Sequence, residues 1–315
     1  MLDPMRSVRF VVGLGVFVTS VLALRLGAQS SGARRDPSPH LVRWVTVDSS
    51  VKLEVLDWGG SGQPLVLLAC YVSTHVYDGF APKLTDRFHV YGITRRGIGA
   101  SDKPATGYSV QQSANDLFDA FNSLKLQQAL LVGHSCAGQV LTMFAAQHAD
   151  RLRGLVYLDG ATDPTLTADV GSPMPDFTTL PRPISERPER NWDFPEAVDQ
   201  ERLDPVIRKA ITVDARMKPD YARVRVPVLA IYQEQRPFEE VAAGYTIRND
   251  QERAALRQYY AATRALYTRW QEDLRAGAPT ARIVELTGAN LFMFLSNEAD
   301  VLREIQAFAA TLTSR

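Results

Sequence analysis

Cysteine and histidine are both scarce in this chain, with two of the first and five of the second in 315 residues. Two cysteines allow at most one internal bridge, and five histidines leave few candidates for a proton-transfer base. Charge of one sign is missing too, because 35 Lys and Arg balance 35 Asp and Glu and no basic block stands out. Nothing therefore marks a nucleic-acid or other polyanionic partner, and a small neutral or mixed molecule is the expected one. There is no internal repeat of fixed period and no heptad seam. No pattern calls for a metal or a cofactor.

A long hydrophobic run is also lacking. The longest uncharged apolar stretch, Phe10 to Leu24, falls short of the roughly 20 residues that span a bilayer comfortably. It follows Arg6 and Arg9 and ends on small residues at Gly27 and Ala28. That layout reads as an export signal over residues 1–28, cut after Ala28, with an uncleaved membrane anchor as the alternative. Residues 29–39 form a Pro/Ser/Arg linker. The expected location is periplasmic or extracellular, with membrane contact only if the signal stays attached.

What remains, residues 40–315, has ordinary globular composition, 45% hydrophobic and 22% charged, and length enough to bury a large core. "LVRWVTVD" and "KLEVLDWGG" alternate like a hairpin, and "PLVLLAC" is a continuous apolar run of the kind a fully buried strand shows. "VYDGFAPKLTD" reads as a short helix, "HVYGITR" as a strand, and residues 110–124 as an amphipathic helix with Ala114, Leu117, Phe118 and Phe121 on one stripe. "ALLVGH", "LRGLVYLDG", "VPVLAIYQE" and "ARIVELTG" follow as strands separated by helical stretches, the longest over residues 250–276. A helix over residues 298–312 closes the chain. Strand and helix alternate as in a parallel sheet with helices on both faces, so the strand ends that carry chemistry share one edge. Residues 164–222, rich in Pro, Asp, Glu and Arg, break that alternation and are expected to form an inserted lid.

The stretch that carries chemistry is "LLVGHSCAGQV". Gly133-His134-Ser135-Cys136-Ala137 lies between a strand and a helix, the setting in which G-x-S-x-G presents a serine on a sharp turn. Ala137 meets the need for a small residue less fully than glycine. With "PLVLLAC", "DGFAPKLTDRFHVYGITRRGIGASDKP", "RLRGLVYLDG" and "ARIVELTGANLFMFLSNEADVLREIQAFA", the chain resembles the α/β-hydrolase superfamily, in particular its small bacterial esterase-like and haloperoxidase-like members, over nearly all of residues 41–312. The resemblance implies an α/β-hydrolase fold, a mostly parallel eight-stranded sheet flanked by helices, with Ser135 as nucleophile.

Two departures from the family pattern qualify that implication. The turn after the third strand, His-Gly in the family, reads Ala69-Cys70-Tyr71, so the resemblance assigns the oxyanion donors to the amides of Tyr71 and Cys136. The position of the family's catalytic histidine is occupied by Leu291, which can neither accept nor shuttle a proton. Among the histidines, His148, His89, His40 and His134 are all badly placed, and His75 alone lies in a loop on the right edge, as a weak candidate base. The acid is Asp159, with Glu234 or Asp163 as alternatives. In this fold the strands ending at Cys70 and at the serine turn are neighbours, so Cys70 and Cys136 are close enough for a disulfide, the alternative being two small buried fillers.

Three functions fit. The first is a serine hydrolase for small ester or acyl substrates with an incomplete triad and weak or altered activity, its pocket made apolar by Leu291, Phe292 and Met293. The second is an inactive pseudo-hydrolase that binds a small apolar ligand. The third is thiol or redox work by Cys70 and Cys136, disfavoured because no basic group is evidently placed to lower a thiol pKa.

Overall fold

Every central strand of the sheet is apolar on both faces, and the residues alternate between two cores. A computed structural model describes residues 40–166, 180–183, 203–214 and 216–312. Its main sheet has β1 (Leu41–Val47), β2 (Val51–Gly59), β3 (Gln63–Leu68), β4 (Phe88–Ile93), β5 (Ala129–His134), β6 (Leu152–Leu158), β7 (Val228–Gln233) and β8 (Arg282–Leu286), in the spatial order β1-β2-β4-β3-β5-β6-β7-β8. β2 runs antiparallel to both its neighbours, and all the other pairings are parallel. On one face Val66, Leu131, Tyr157 and Ala230 pack beneath α1 (Val110–Ser123) and α2 (Ala137–Gln147). On the other, Leu65, Leu67, Leu130, Val132, Leu229 and Ile231 meet the turns after β3 and the closing helix Glu298–Thr311. This period-2 division of apolar side chains is why the runs read from sequence become two-sided strands.

Local chemistry sets the helix starts. Ser109 caps α1 by accepting from the Gln112 amide at 3.1 Å, and Asn249 caps the helix Asp250–Gly277 by accepting from the Glu252 amide at 2.9 Å. The stretch read as a short helix, "VYDGFAPKLTD", instead makes two separate 3₁₀ turns, Thr74–Tyr77 and Ala81–Leu84. Gly79 lies between them and Pro82 brings no N–H, so a continuous ladder cannot form. Residues 1–28, expected to be an export signal, the expected linker 29–39 and most of the 164–222 stretch expected to form a lid lie outside the described residues. The described part of that insertion contains α3 (Pro205–Asp214), which lays Ile207 and Ile211 against Ile98 and Tyr108.

The parallel strands bring their carboxyl ends to one edge, and there β5 turns sharply into α2. At that turn the backbone of α2 passes close to the loop after β6. A Cβ on Gly138 would stand 1.8 Å from the Gly160 carbonyl oxygen, whereas Ala137 is accommodated and fully buried. The close approach that the sequence pattern assigned to position 137 therefore falls one residue later. Gly138→Ala should cost at least the ~1–3 kcal/mol typical of overpacking, read as a lowered Tm in thermal unfolding; an unchanged Tm would show that the approach is not tight.

Candidate active site

Ser135 follows β5 directly and has φ +53°, the left-handed region that a serine rarely occupies. The strain is held by two bonds, Ser135 N–H to the Leu158 carbonyl at 3.0 Å and Gly138 N–H to the Ser135 carbonyl at 2.9 Å. The hydroxyl is thereby lifted out of the strand line, half-buried at the sheet edge.

Beside it Cys136 is bonded to Cys70, with a Cα separation of 5.1 Å. The adjacency follows from the register, since β3 pairs with β5 through Leu68 and Gly133, two residues before Cys70 and three before Cys136. The bridge ties the turn after β3 to the start of α2, the two segments that carry the expected oxyanion donors. Among the described residues, neither the Tyr71 nor the Cys136 amide has a hydrogen-bond partner. The Tyr71 hydroxyl bonds Thr212 Oγ1 of α3 at 2.9 Å, so the insertion touches this turn directly.

One cation lies at the bridge. Arg95, buried at 8% exposure, donates from Nη2 to Ser113 Oγ at 2.9 Å and brings Nη1 to 4.0 Å from Cys136 Sγ. Burial lowers its pKa to about 10, which leaves it charged at neutral pH. The sequence reading held that no basic group attends the thiols. Arg95 corrects it, and was missed because only the fold brings the end of β4 to the start of α2.

The five histidines are all engaged away from the serine. His75, the candidate base, turns Nδ1 to Asp78 at 2.9 Å and Nε2 to Glu54 at 3.3 Å. Burial opposes its charge, but the hydrogen bonds and charges of Asp78 and Glu54 outweigh burial and raise the pKa to about 10. It is an imidazolium at neutral pH, with neither nitrogen left for Ser135, and this removes it as a base. His134 donates from Nε2 to the Leu291 carbonyl at 2.8 Å, and burial lowers its pKa to about 4. That bond also places the Leu291 backbone against the residue preceding Ser135, where the resemblance put the missing histidine. His40 faces Asp78, His89 faces Asp57, and His148 stacks on Phe118.

The three carboxylate candidates separate clearly. Asp159, at the end of β6 with φ +48°, is buried and accepts at Oδ2 from Tyr267 Oη and Gln233 Nε2, both at 2.8 Å. Its Oδ1 has no partner among the described residues. Burial pushes its pKa up to about 6 from an ordinary 3.8, against the lowering by those two donors. Asp163 accepts at Oδ1 from the Thr165 amide and hydroxyl, a local turn. Glu234 is exposed. Tyr267 carried no signal, because it is one position among many on the long helix Asp250–Gly277. Of the apolar trio, only Leu291 is exposed, at 37%, whereas Phe292 and Met293 belong to the core.

Comparison with known proteins agrees with this architecture. The model of the alpha/beta hydrolase family matches residues 60–304. Among curated relatives, the 2-(acetamidomethylene)succinate hydrolase of Mesorhizobium japonicum is 35% identical over 102 residues, 32% of this chain and 36% of that protein. The soluble epoxide hydrolase of a Corynebacterium species is 34% identical over 101 residues, 32% of this chain and 35% of that protein. The matches thus span about a third of these relatives' length. Among solved structures, an esterase from Exiguobacterium antarcticum superposes with a TM-score of 0.62 at 17% identity, covering 86% of this chain and 100% of the esterase.

Two outcomes follow from the geometry. The denatured, unreduced chain should show no free thiol in a thiol-reagent count, and two reactive thiols would contradict the bridge. Asp159 ionises near 3.8 when unfolded and near 6 when folded, so the folded state bears a cost that is absent below the first value, grows between the two and is complete above the second. Asp159→Asn removes it. Its Tm relative to wild type should therefore rise between about pH 4 and pH 7, by the equivalent of ~1–3 kcal/mol, and a difference flat with pH would count against the buried carboxylate.

Proposed function

The chain belongs to the alpha/beta hydrolase family, and from that premise we propose that it acts on small ester or acyl substrates through Ser135, slowly, with a triad that lacks its base. The observation that carries this reading is the pair of amides, Tyr71 and Cys136, that have no partner among the described residues, on the two segments the disulfide ties together at the strained serine. Backbone N–H groups fixed at a serine are what a developing oxyanion needs, and the disulfide fixes these without a ligand present.

In the proposed reaction the substrate carbonyl oxygen accepts from both amides while Ser135 Oγ adds to the carbonyl carbon. The serine proton leaves to water, because no imidazole is aimed at it. The tetrahedral intermediate then expels the alcohol, which takes its proton from solvent, and water releases the acyl group by the same path. Without general-base help each half is slower by about 10²–10⁴. Oxyanion stabilisation alone keeps such a site roughly 10³–10⁴ above water. The contact of Thr212 with Tyr71 supports reading the 164–222 insertion as a cover over this turn.

Two further readings rest on particular observations. The same amides would hold the carbonyl of a bound molecule without cleaving it, which is the pseudo-hydrolase. Arg95 favours the thiol reading, since after reduction Cys136 would sit at the N-terminus of α2 beside a buried guanidinium, a setting that favours thiolate.

Hydrolysis of p-nitrophenyl acetate separates these readings. Wild type should turn over slowly and Ser135→Ala should fall to the background rate. Leu291→His, which restores the imidazole at the position the family resemblance implies, with Asp159 Oδ1 free of partners among the described residues, should raise kcat/KM by about 10²–10⁴. Wild type no faster than Ser135→Ala, together with an inert Leu291→His, would leave the binding role.

A further inference from the structure

We infer that His40, His75 and Asp78 form a binding site for a divalent transition-metal ion of the zinc type, separate from the Ser135 site. One donor atom from each of the three lies within 4.8 Å of the other two. Both imidazoles present Nδ1 to the same carboxylate, His40 to Asp78 Oδ1 and His75 to Asp78 Oδ2, each at 2.9 Å. The side chains are 2%, 10% and 7% exposed, so they form a buried cluster and not a patch of surface polar groups.

The surroundings supply an independent second observation. Histidines that ligate a metal generally give their far N–H to a carboxylate, and ligating carboxylates are themselves hydrogen-bonded. His75 Nε2, the nitrogen turned away from the cluster, meets Glu54 Oε1 at 3.3 Å, and Trp58 Nε1–H donates to Asp78 Oδ1 at 3.2 Å. Glu54 is in turn fixed by the Thr94 hydroxyl on its other oxygen at 3.0 Å. The outer contacts of a carboxylate–histidine–metal arrangement are thus present on this side of the cluster.

The donor set selects the ion. Two imidazole nitrogens and one carboxylate suit zinc at about 2.0–2.2 Å with a fourth position left over, whereas calcium and magnesium ask for oxygen. Charge points the same way. Glu54 and Asp78 are two carboxylates buried against the same imidazole, and the ion would take over, between them, the positive charge that the His75 ring carries when both its nitrogens are protonated. When the ion binds, the Nδ1 lone pairs and the Asp78 carboxylate become its ligands, and the protons those nitrogens carried go to solvent. The clip would join the start of β1 to the turn after β3, the same turn that the Cys70–Cys136 bridge holds at its other end. No sequence motif announces it, because His40 lies far along the chain from the other two residues.

The test is a titration of the untagged full chain, stripped with chelator, by Co²⁺ followed through visible d–d absorption and by Zn²⁺ in competition with a chromophoric chelator. The expected result is saturation at one ion per chain in wild type and in His89→Gln, a control in which another carboxylate-paired histidine is removed. Glu54→Gln should bind about 10- to 100-fold more weakly, and His40→Gln and His75→Gln should lose the cobalt band while keeping the wild-type circular dichroism. A wild-type chain that takes up no cobalt would overturn the site. So would Glu54→Gln binding as tightly as wild type, an outcome readable even if the histidine variants fail to fold.

Discussion

The bond between Cys70 and Cys136 joins the turn after β3 to the start of α2, the two chain segments that carry the proposed oxyanion donors, and it fixes the first of them beside the residue that follows Ser135. One segment leaves β3 and the other enters α2, so in an unlinked chain their spacing would rest on side-chain packing alone. With the bridge in place neither the Tyr71 nor the Cys136 amide has a hydrogen-bond partner among the described residues. The family pattern puts His-Gly where this chain has Ala69-Cys70. A covalent tie thus stands in the turn where the relatives' pattern relies on a small residue, and it couples that turn to the residue directly after the nucleophile.

Against that rigid frame stands a missing proton acceptor. The elbow, the strained serine and a buried carboxylate at the end of β6 are in place, yet the position where the family resemblance implies a histidine is Leu291, and each of the five imidazoles has another task. His134 is the most instructive of them. It is adjacent to Ser135 in sequence, but its Nε2 is turned to the Leu291 carbonyl, so the imidazole nearest along the chain serves to hold the Leu291 loop. Among the described residues Asp159 then keeps an oxygen without a partner, at a cost that burial imposes whenever it is ionised. An acid raised toward neutrality with nothing to orient is what removing only the middle member of a triad would leave.

The fold was legible because its signals are local. Continuous apolar runs gave the buried strands, and a serine turn between a strand and a helix gave the elbow. The neighbourhood of the two cysteines followed from strand order once the family resemblance was stated. The stretch from Val76 to Asp86 reads as one short helix, and Gly79 and Pro82 divide it into two 3₁₀ turns. What stayed illegible was whatever depends on side chains meeting across the fold: Arg95 on Cys136, Tyr267 on Asp159, and the His40, His75 and Asp78 cluster. None has a spacing or a periodicity in sequence. His75 shows this most sharply, since its loop was correctly placed on the active edge while its ring is committed to Glu54 and Asp78.

The central claim is that Ser135 is presented to substrate but has no base. It is tested most directly by the rate at which a fluorophosphonate labels Ser135 from about pH 5 to 8, the range in which an imidazole titrates. The account calls for slow labelling, absent in Ser135→Ala, that climbs steadily with hydroxide through the whole range. A rate that rises and then levels off within that range would reveal a working imidazole base and contradict it.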